Sequence, residues 1–123
     1  MPVGLLEITI ASVINGILLL ASFIASYAFP QSLGTEEELH YLEQAQLGDE
    51  RALSILVERN LRLVAEAEKS HKHLHLDNEE LIYTGTIGLI KAIKTYNKDV
   101  DISFSEYTSA IIEKELLKLK KAQ

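Results

Sequence analysis

An uncharged run near the N-terminus constrains this chain more than any other feature of its sequence. From Ile8 to Phe29 there are 22 residues without a charged side chain, which is long enough for a helix to cross a bilayer. The run is apolar around its whole circumference, whereas a helix on the surface of a soluble domain shows one apolar stripe. We therefore expect residues 3–29 to associate with a membrane. A buried core helix of a soluble protein is the alternative.

Two features bear on the form of this membrane segment. Asn15-Gly16 lies in its middle, and a glycine inside a helix costs about 1 kcal/mol relative to alanine. The segment is therefore either one tilted helix or a bent hairpin of two short halves. The first basic residue is Arg51, so the positive flank that is typical of a secretory signal is missing.

A short linker separates this segment from the rest of the chain. Pro30 disfavours a helix at the residue before it, and Gly34 allows the chain to turn. We predict an apolar segment over 1–29, a linker over 30–34 and one small helical domain over 35–123.

The charge balance limits the partners of that domain. The chain carries 12 basic and 18 acidic residues, a formal net charge of −6. Duplex DNA is bound chiefly through neutralised phosphates, so this balance argues against a general nucleic-acid coat, although not against a local basic strip. The chain has no cysteine, which excludes disulfides, a thiolate nucleophile and a cysteine-based zinc site.

Four helices are predicted after the linker. Thr35 and the three glutamates after it form a helix start with a capping box at Glu38, and this helix should run to about Leu47. Hydrophobic periodicity predicts a second helix from Asp49 through Ala67 or beyond. A polar loop follows over 70–78.

The last two helices are the more informative pair. Asp77 or Asn78 can cap the third helix, and Ser103 or Ser105 can cap the fourth, which runs to position 121. The apolar residues expected on one face of the fourth helix are Tyr107, Ala110, Ile111, Leu116, Leu117 and Leu119.

Two glycines interrupt the third helix at i and i+3. Gly85 and Gly88 are costly inside a helix, so we expect the close approach of another backbone to compensate for them. With no strand pattern in the sequence, the predicted fold class is all-α.

Three stretches together resemble region 2 of bacterial RNA polymerase sigma factors. They are the sequences Asn60–Ala65, Glu80–Ala92 and Phe104–Tyr107, of which the second, with its Gly-x-x-Gly-Leu-Ile-Lys-Ala pattern, is the most specific. The resemblance implies a small helical bundle of the sigma region 2 type and a non-enzymatic role in transcription initiation.

The segment before this domain resembles one branch of that family. Ala28-Phe29-Pro30-Gln31, preceded by an apolar leader, is similar to the late sporulation factors of the sigma-K type. These are made as precursors whose pro-sequence is removed by an intramembrane protease. The resemblance places the cleaved bond at Ser22-Phe23 and implies a membrane-associated precursor that becomes cytoplasmic after processing.

The resemblance also implies a docking helix. In the family this helix contacts the clamp coiled coil of the β′ subunit of core RNA polymerase. The positions that match are Glu80, Tyr83, Thr84, Thr86 and Ile90. The alternative is that the helix is simply a glycine-containing core helix.

Promoter DNA is a doubtful partner. Phe104 and Tyr107 match aromatics that capture unstacked bases, and Lys114 and Lys118 could contact phosphate; the alternative is that the two aromatics are core residues. Four carboxylates that phosphate would repel lie nearby. They are Asp99, Asp101, Glu106 and Glu113.

One histidine pattern remains outside the resemblance. His71, His73 and His75 alternate in a polar segment, and an extended chain would place them on one side, as a three-histidine zinc site requires. A solvated loop is the favoured interpretation, so we expect no metal and no cofactor. No spacing links Ser, His and Asp as a catalytic set, and the chain is not expected to be an enzyme.

These observations predict the N-terminal part of a sporulation sigma factor precursor that is held at the membrane, released by proteolysis and then bound to core polymerase. The alternative is a membrane-tethered regulatory module of the same fold that docks on polymerase or another protein without promoter recognition. An interrupted gene, a fragment or a divergent paralogue would each carry such a sequence.

Overall fold

The computed structural model describes residues 31–121. The predicted membrane segment and the Ser22-Phe23 cleavage site lie outside the described residues. Within 31–121 the chain is all-helical, as predicted, with no strand. The helices are α1 (Thr35–Gln46), α2 (Glu50–Arg59), α3 (Leu61–Ser70), α4 (Asn78–Thr95) and α5 (Phe104–Lys121), with a 3-10 turn at Lys72–Leu74. No helix in this part of the chain is long and apolar enough to span a membrane.

The start of α1 differs from the predicted capping box. Gly34 is the N-cap residue, with φ −68° and ψ 161°, and no side chain caps the helix. Thr35 is already helical, so the predicted cap is wrong by one residue. The carbonyl of Gly34 accepts from the N–H of Glu38 at 2.9 Å, and three glutamates in the first turn favour the positive end of the helix.

The predicted second helix is in fact two, because the chain breaks at Asn60. This residue has φ −115° and ψ 13°, and its buried Nδ2 donates to the carbonyl oxygen of Leu56 at 2.7 Å. An asparagine side chain that bonds to a nearby carbonyl competes with the helical ladder. On either side of the break, α2 and α3 each contact α4.

The segment between α3 and α4 is ordered into a tight turn. The 3-10 turn ends at His75, which has a φ of 56° in the left-handed region. Asp77 then caps α4 by accepting from the N–H of Glu79. The predicted cap is confirmed, but the premise of an extended histidine segment is wrong.

Helix α4 lies at the centre of the bundle and contacts each of the other helices. Its closest approach is to α5, where a Cβ on Gly88 would lie 2.9 Å from the Cα of Ile112. The predicted backbone approach is therefore confirmed at Gly88. At Gly85 the nearest atom is a side-chain one, Cγ1 of Val64, at 3.0 Å.

The buried face of α5 differs from the predicted apolar set. Ala110 and Leu117 are exposed, while Tyr107, Ile111 and Leu119 are half-buried; of the predicted set only Leu116 is fully buried. The contact between Gly88 and Ile112 fixes the rotation of the helix. The residues that it turns inward are Phe104, Thr108, Ile112, Glu115 and Leu116.

Candidate functional site

One side of α4 stays exposed along its length. Glu80 is exposed, Tyr83 is 43% exposed and Thr84 is half-buried. Ile87, half-buried, and Lys91 and Lys94, both exposed, continue the same side toward the C-terminus. We call these six residues the α4 stripe. It presents an aromatic and an aliphatic side chain between a carboxylate and two ammonium groups.

Two of the predicted docking residues do not lie on this stripe. Thr86 is 0% exposed and Ile90 is 6% exposed, and the hydroxyl of Thr86 donates to the carbonyl of Ile82 at 2.7 Å. Helices α1, α2, α3 and α5 all contact α4, so only a narrow side of it remains free. The assignment of Thr86 and Ile90 to an exposed docking face is therefore wrong for this fold, whereas Glu80, Tyr83 and Thr84 remain candidates.

A buried carboxylate joins the stripe to α5. The two oxygens of Glu115 accept from Nζ of Lys91 at 2.7 Å and from Nζ of Lys118 at 2.9 Å. These two lysines hold the pKa of Glu115 below its ordinary value, against the opposing effect of burial. Lys118, predicted to contact DNA, is thus engaged with Glu115. Lys114 is exposed on the same helix.

An aromatic cluster lies where α4 leads into α5. Phe104 is 3% exposed, which agrees with the alternative that it is a core residue, and its role in capturing a base stays a prediction. The ring of Tyr96 packs 5.4 Å from that of Phe104 and 5.4 Å from that of Tyr107. The hydroxyl of Tyr107 is bonded to Oγ1 of Thr95 at 2.7 Å. Tyr107 is half-buried and its DNA contact stays a prediction.

A groove of about 520 Å³ opens beside this cluster. We call it the linker groove, because the segment before α1 forms one of its walls. Arg62 and Lys98 supply its positive charge, and its aromatic wall is Tyr96 and Phe104. The hydroxyl groups that line it belong to Ser32, Thr35, Ser103 and Ser105, along with the phenol of Tyr96.

The linker is held against this groove by two arginines. Nη1 of Arg59 donates to the carbonyl of Gln31 at 2.9 Å, and Nη1 of Arg62 lies 3.5 Å from the hydroxyl of Ser32. Sequence reasoning missed Arg62, Lys98 and Tyr96 as groove residues, because they come from three separate segments. Their joint position depends on the break at Asn60 and on the end of α4.

Two of the four carboxylates predicted to repel DNA have partners within the fold. Oε1 of Glu113 lies 3.1 Å from Nε2 of His71. Oε1 of Glu106 accepts from the hydroxyl of Ser103 at 3.4 Å, and that hydroxyl caps α5 by accepting from the N–H of Glu106 at 3.1 Å. Asp99 lines the linker groove and Asp101 is exposed in the turn before α5. All four carboxylates remain exposed, so the repulsion expected from the sequence stays a prediction.

The three histidines do not converge. His71 is buried, with its Nδ1 2.8 Å from the carbonyl of Ala67, and its ring stacks on that of His73 at 6.2 Å between centroids. His75 is exposed on the left-handed residue that ends the turn. Among residues 31–121 no group of three His, Asp or Glu side chains is placed to hold a metal ion.

Comparison with known proteins adds an independent line of argument. A family model described as Sigma-70 region 2 matches residues 56–123. The chain is 39% identical over 108 residues to the RNA polymerase sigma-28 factor of Bacillus thuringiensis subsp. kurstaki, covering 88% of this chain and 46% of that protein. It is 41% identical over 105 residues to the RNA polymerase sigma-K factor of Bacillus subtilis (strain 168), covering 85% and 36%.

A third relative is the RNA polymerase sigma-E factor of Clostridium acetobutylicum, which is 41% identical over 90 residues, 73% of this chain and 38% of that protein. The chain thus spans less than half the length of each of these relatives.

Proposed function

This chain belongs to the Sigma-70 region 2 family, and from that membership we propose that it supplies the polymerase-docking part of a sporulation-type sigma factor. The observation that carries the proposal is the α4 stripe, which lies within the matched residues and stays exposed at the centre of the fold. The relatives named as sigma-K and sigma-E factors support the sporulation branch. On this proposal the chain acts by binding and not by catalysis.

The docking contact that we propose uses one face of a helix. Amphipathic helices dock by presenting a few side chains on one side while the opposite side stays in the core. Tyr83 is the natural anchor, because tyrosine gives a large contact area for few rotatable bonds and is enriched at interface hot spots. Glu80 and Lys94 lie on either side of it along the stripe with opposite charges and would fix the register on a partner such as the β′ clamp coiled coil.

Replacement of the anchor tests this contact. Tyr83→Ala should weaken binding to a fragment carrying the β′ clamp coiled coil by about tenfold or more, the size expected of an aromatic hot spot. Tyr83→Phe keeps the ring and should bind nearly as well. Titration with the purified full chain measures both, and Tyr41→Ala on α1 serves as the control for loss of a tyrosine. Unchanged affinity in the Tyr83→Ala variant would exclude the α4 stripe as the docking face.

We also propose that the chain is made as a membrane-held precursor. The support is the uncharged run Ile8–Phe29 together with the resemblance around Ala28–Gln31. An intramembrane protease acting near Ser22-Phe23 would release the helical domain into the cytoplasm. The alternative that we retain is a tethered module that docks on polymerase without recognising a promoter.

The linker groove favours a further contact, with a single strand of promoter DNA. Arg62 and Lys98 could follow a phosphate backbone and Tyr96 could stack on a base, the combination that single-strand-binding grooves use. Glu38 and Asp99 in the same groove oppose this contact. We therefore place DNA second to polymerase, as a contact made after docking.

A further inference from the structure

Helix α1 ends in a side chain that reaches across to the end of α4. Nε2 of Gln46 donates to the carbonyl of Ile93 at 2.9 Å and to the carbonyl of Tyr96 at 2.8 Å. The last carbonyls of a helix have no partner within it. Gln46 therefore caps the C-terminus of α4 from a different helix.

The geometry requires a donor at this place. A primary amide carries two hydrogens on one nitrogen, and here both are directed at carbonyl oxygens. A carboxylate of the same shape would place an oxygen there instead, against two acceptors. An apolar side chain of the same length would leave the Ile93 and Tyr96 carbonyls to water.

Gln46 thereby holds the backbone of Tyr96, the residue that ends α4 and lines the linker groove. Tyr96 contacts the rings of Phe104 and Tyr107, and its hydroxyl donates to the carbonyl of Ile102 at 2.8 Å. The backbone of Tyr96 is thus tied to α1 and its side chain to the far end of the turn over 97–103. A shift of its carbonyl would therefore move the aromatic wall of the linker groove, which Tyr96 forms with Phe104.

A second tie connects the same two parts. Glu43, one turn before Gln46 on α1, lies 3.5 Å from Nζ of Lys98. Both partners are largely exposed, so this ion pair contributes little energy. It places α1 beside the turn at two points, Tyr96 and Lys98, and both of these residues line the groove.

We propose that Gln46 is a positioning residue for the linker groove, which acts by fixing the carbonyl of Tyr96. Helix α1 lies outside the residues that the family model matches, so its role here is additional to region 2. The proposal rests on the groove taking single-stranded DNA after polymerase has been bound.

The first test concerns the turn alone and needs no ligand. In the full chain, Gln46→Met and Gln46→Glu should raise amide exchange at Asp99 and Val100, whose N–H groups bond within the turn, by about tenfold. Gln46→Lys keeps a donor that can reach the two carbonyls, so amide exchange at Asp99 and Val100 should stay as slow as in wild type. Gln44→Met, the same change on the same helix, is the matched control. Exchange that is unchanged in Gln46→Met would overturn the proposal.

The second test separates positioning from general stability. Gln46→Met should leave affinity for core polymerase unchanged while weakening the binding of forked promoter DNA by the resulting complex about fivefold. In a Tyr96→Ala background the same change should have a smaller effect on DNA binding, because the part that acts through the Tyr96 ring is lost, and a double-mutant cycle detects action through a shared partner. An equal loss in both backgrounds, or equal DNA binding by Gln46→Met and wild type, would overturn the proposal.

The two proposals fail in different ways. If wild type does not bind core polymerase, the proposed function fails, and the exchange measurement alone decides whether Gln46 positions the turn.

Discussion

Glu115 is a buried carboxylate whose oxygens both accept from lysines. Replacing it by glutamine removes the charge and keeps the shape. Glu115→Gln should lower the free energy of unfolding at pH 7 by about 1–2 kcal/mol, since hydrogen bonds to charged groups contribute more than neutral ones and both lysines are half exposed. Urea unfolding of the two proteins measures the difference.

The pH dependence of that difference follows from the lowered pKa of Glu115. A carboxylate with a lower pKa in the folded chain stabilises it above the ordinary value of 4.5, and this contribution is lost as the pH falls through the folded value. The advantage of wild type over Glu115→Gln should therefore be full at pH 7 and shrink below pH 4.5. A difference that stays constant down to about pH 2 would contradict this assignment.

Gly88 is a second residue at which a small change, the addition of one Cβ, should alter stability. A Cβ there would meet the backbone of Ile112 at 2.9 Å, whereas a Cβ on Gly85 would meet side-chain atoms, the nearest being Cγ1 of Val64 at 3.0 Å. Gly88→Ala should cost about 1–3 kcal/mol, the range for overpacking a core, and Gly85→Ala should cost less. Thermal unfolding of both variants gives the order, and the reverse order would show that α4 and α5 are packed differently.

At the scale of elements, sequence pattern predicted the helices and largely missed how they face each other. The spacing of Gly85 and Gly88 predicted a close neighbouring helix, because two glycines inside a helix are costly unless another backbone occupies the space that a Cβ would fill. The buried face of α5 was not predictable in the same way. Phe104, Thr108 and Glu115 turn inward because the contact at Ile112 fixes the rotation, which hydrophobic periodicity along one helix does not encode.

The residues of the candidate site were likewise predicted only in part. Tyr83 was found from the family resemblance of the sequence Glu80–Ala92, which did not separate it from Thr86 and Ile90 on the buried side. Arg62 and Lys98 were missed, because their proximity depends on the break at Asn60 and the turn after α4. The break has a local cause, the bond from Nδ2 of Asn60 to the carbonyl of Leu56. It was not predicted because the residues on both sides of Asn60 follow one helical periodicity.

The junction of α2 and α3 offers a test at this scale. Asn60→Ala removes a buried side-chain bond and leaves the carbonyl of Leu56 with its backbone partner alone. Loss of such a bond costs about 0.5–1.5 kcal/mol, offset in part by the higher helix propensity of alanine. We expect a small net destabilisation and a weaker link between Arg62 and the linker, measured by urea unfolding and by proteolysis at 31–34. A variant more stable than wild type would show that the break is not maintained by Asn60.

At the scale of the whole molecule, we expect the apolar run to enter a membrane and the charged helical domain to remain in water. The full chain should sediment with membranes, because 22 residues without charge can cross or enter a bilayer. A chain that begins at Phe23 keeps only a short apolar stretch and should remain in the supernatant. Carbonate-washed fractions from cells expressing each chain measure this. Equal recovery of both in the soluble fraction would contradict the membrane proposal.

The central claim is that the helical domain occupies the polymerase site of a sigma factor, and competition measures this most directly. A labelled sigma factor of the sigma-K type, bound to core RNA polymerase, is titrated with the chain that begins at Phe23. We predict displacement to completion with a one-to-one stoichiometry, and a displacement curve shifted to about tenfold higher concentration for the Tyr83→Ala variant. Binding to polymerase without displacement, or displacement by both proteins alike, would contradict the claim.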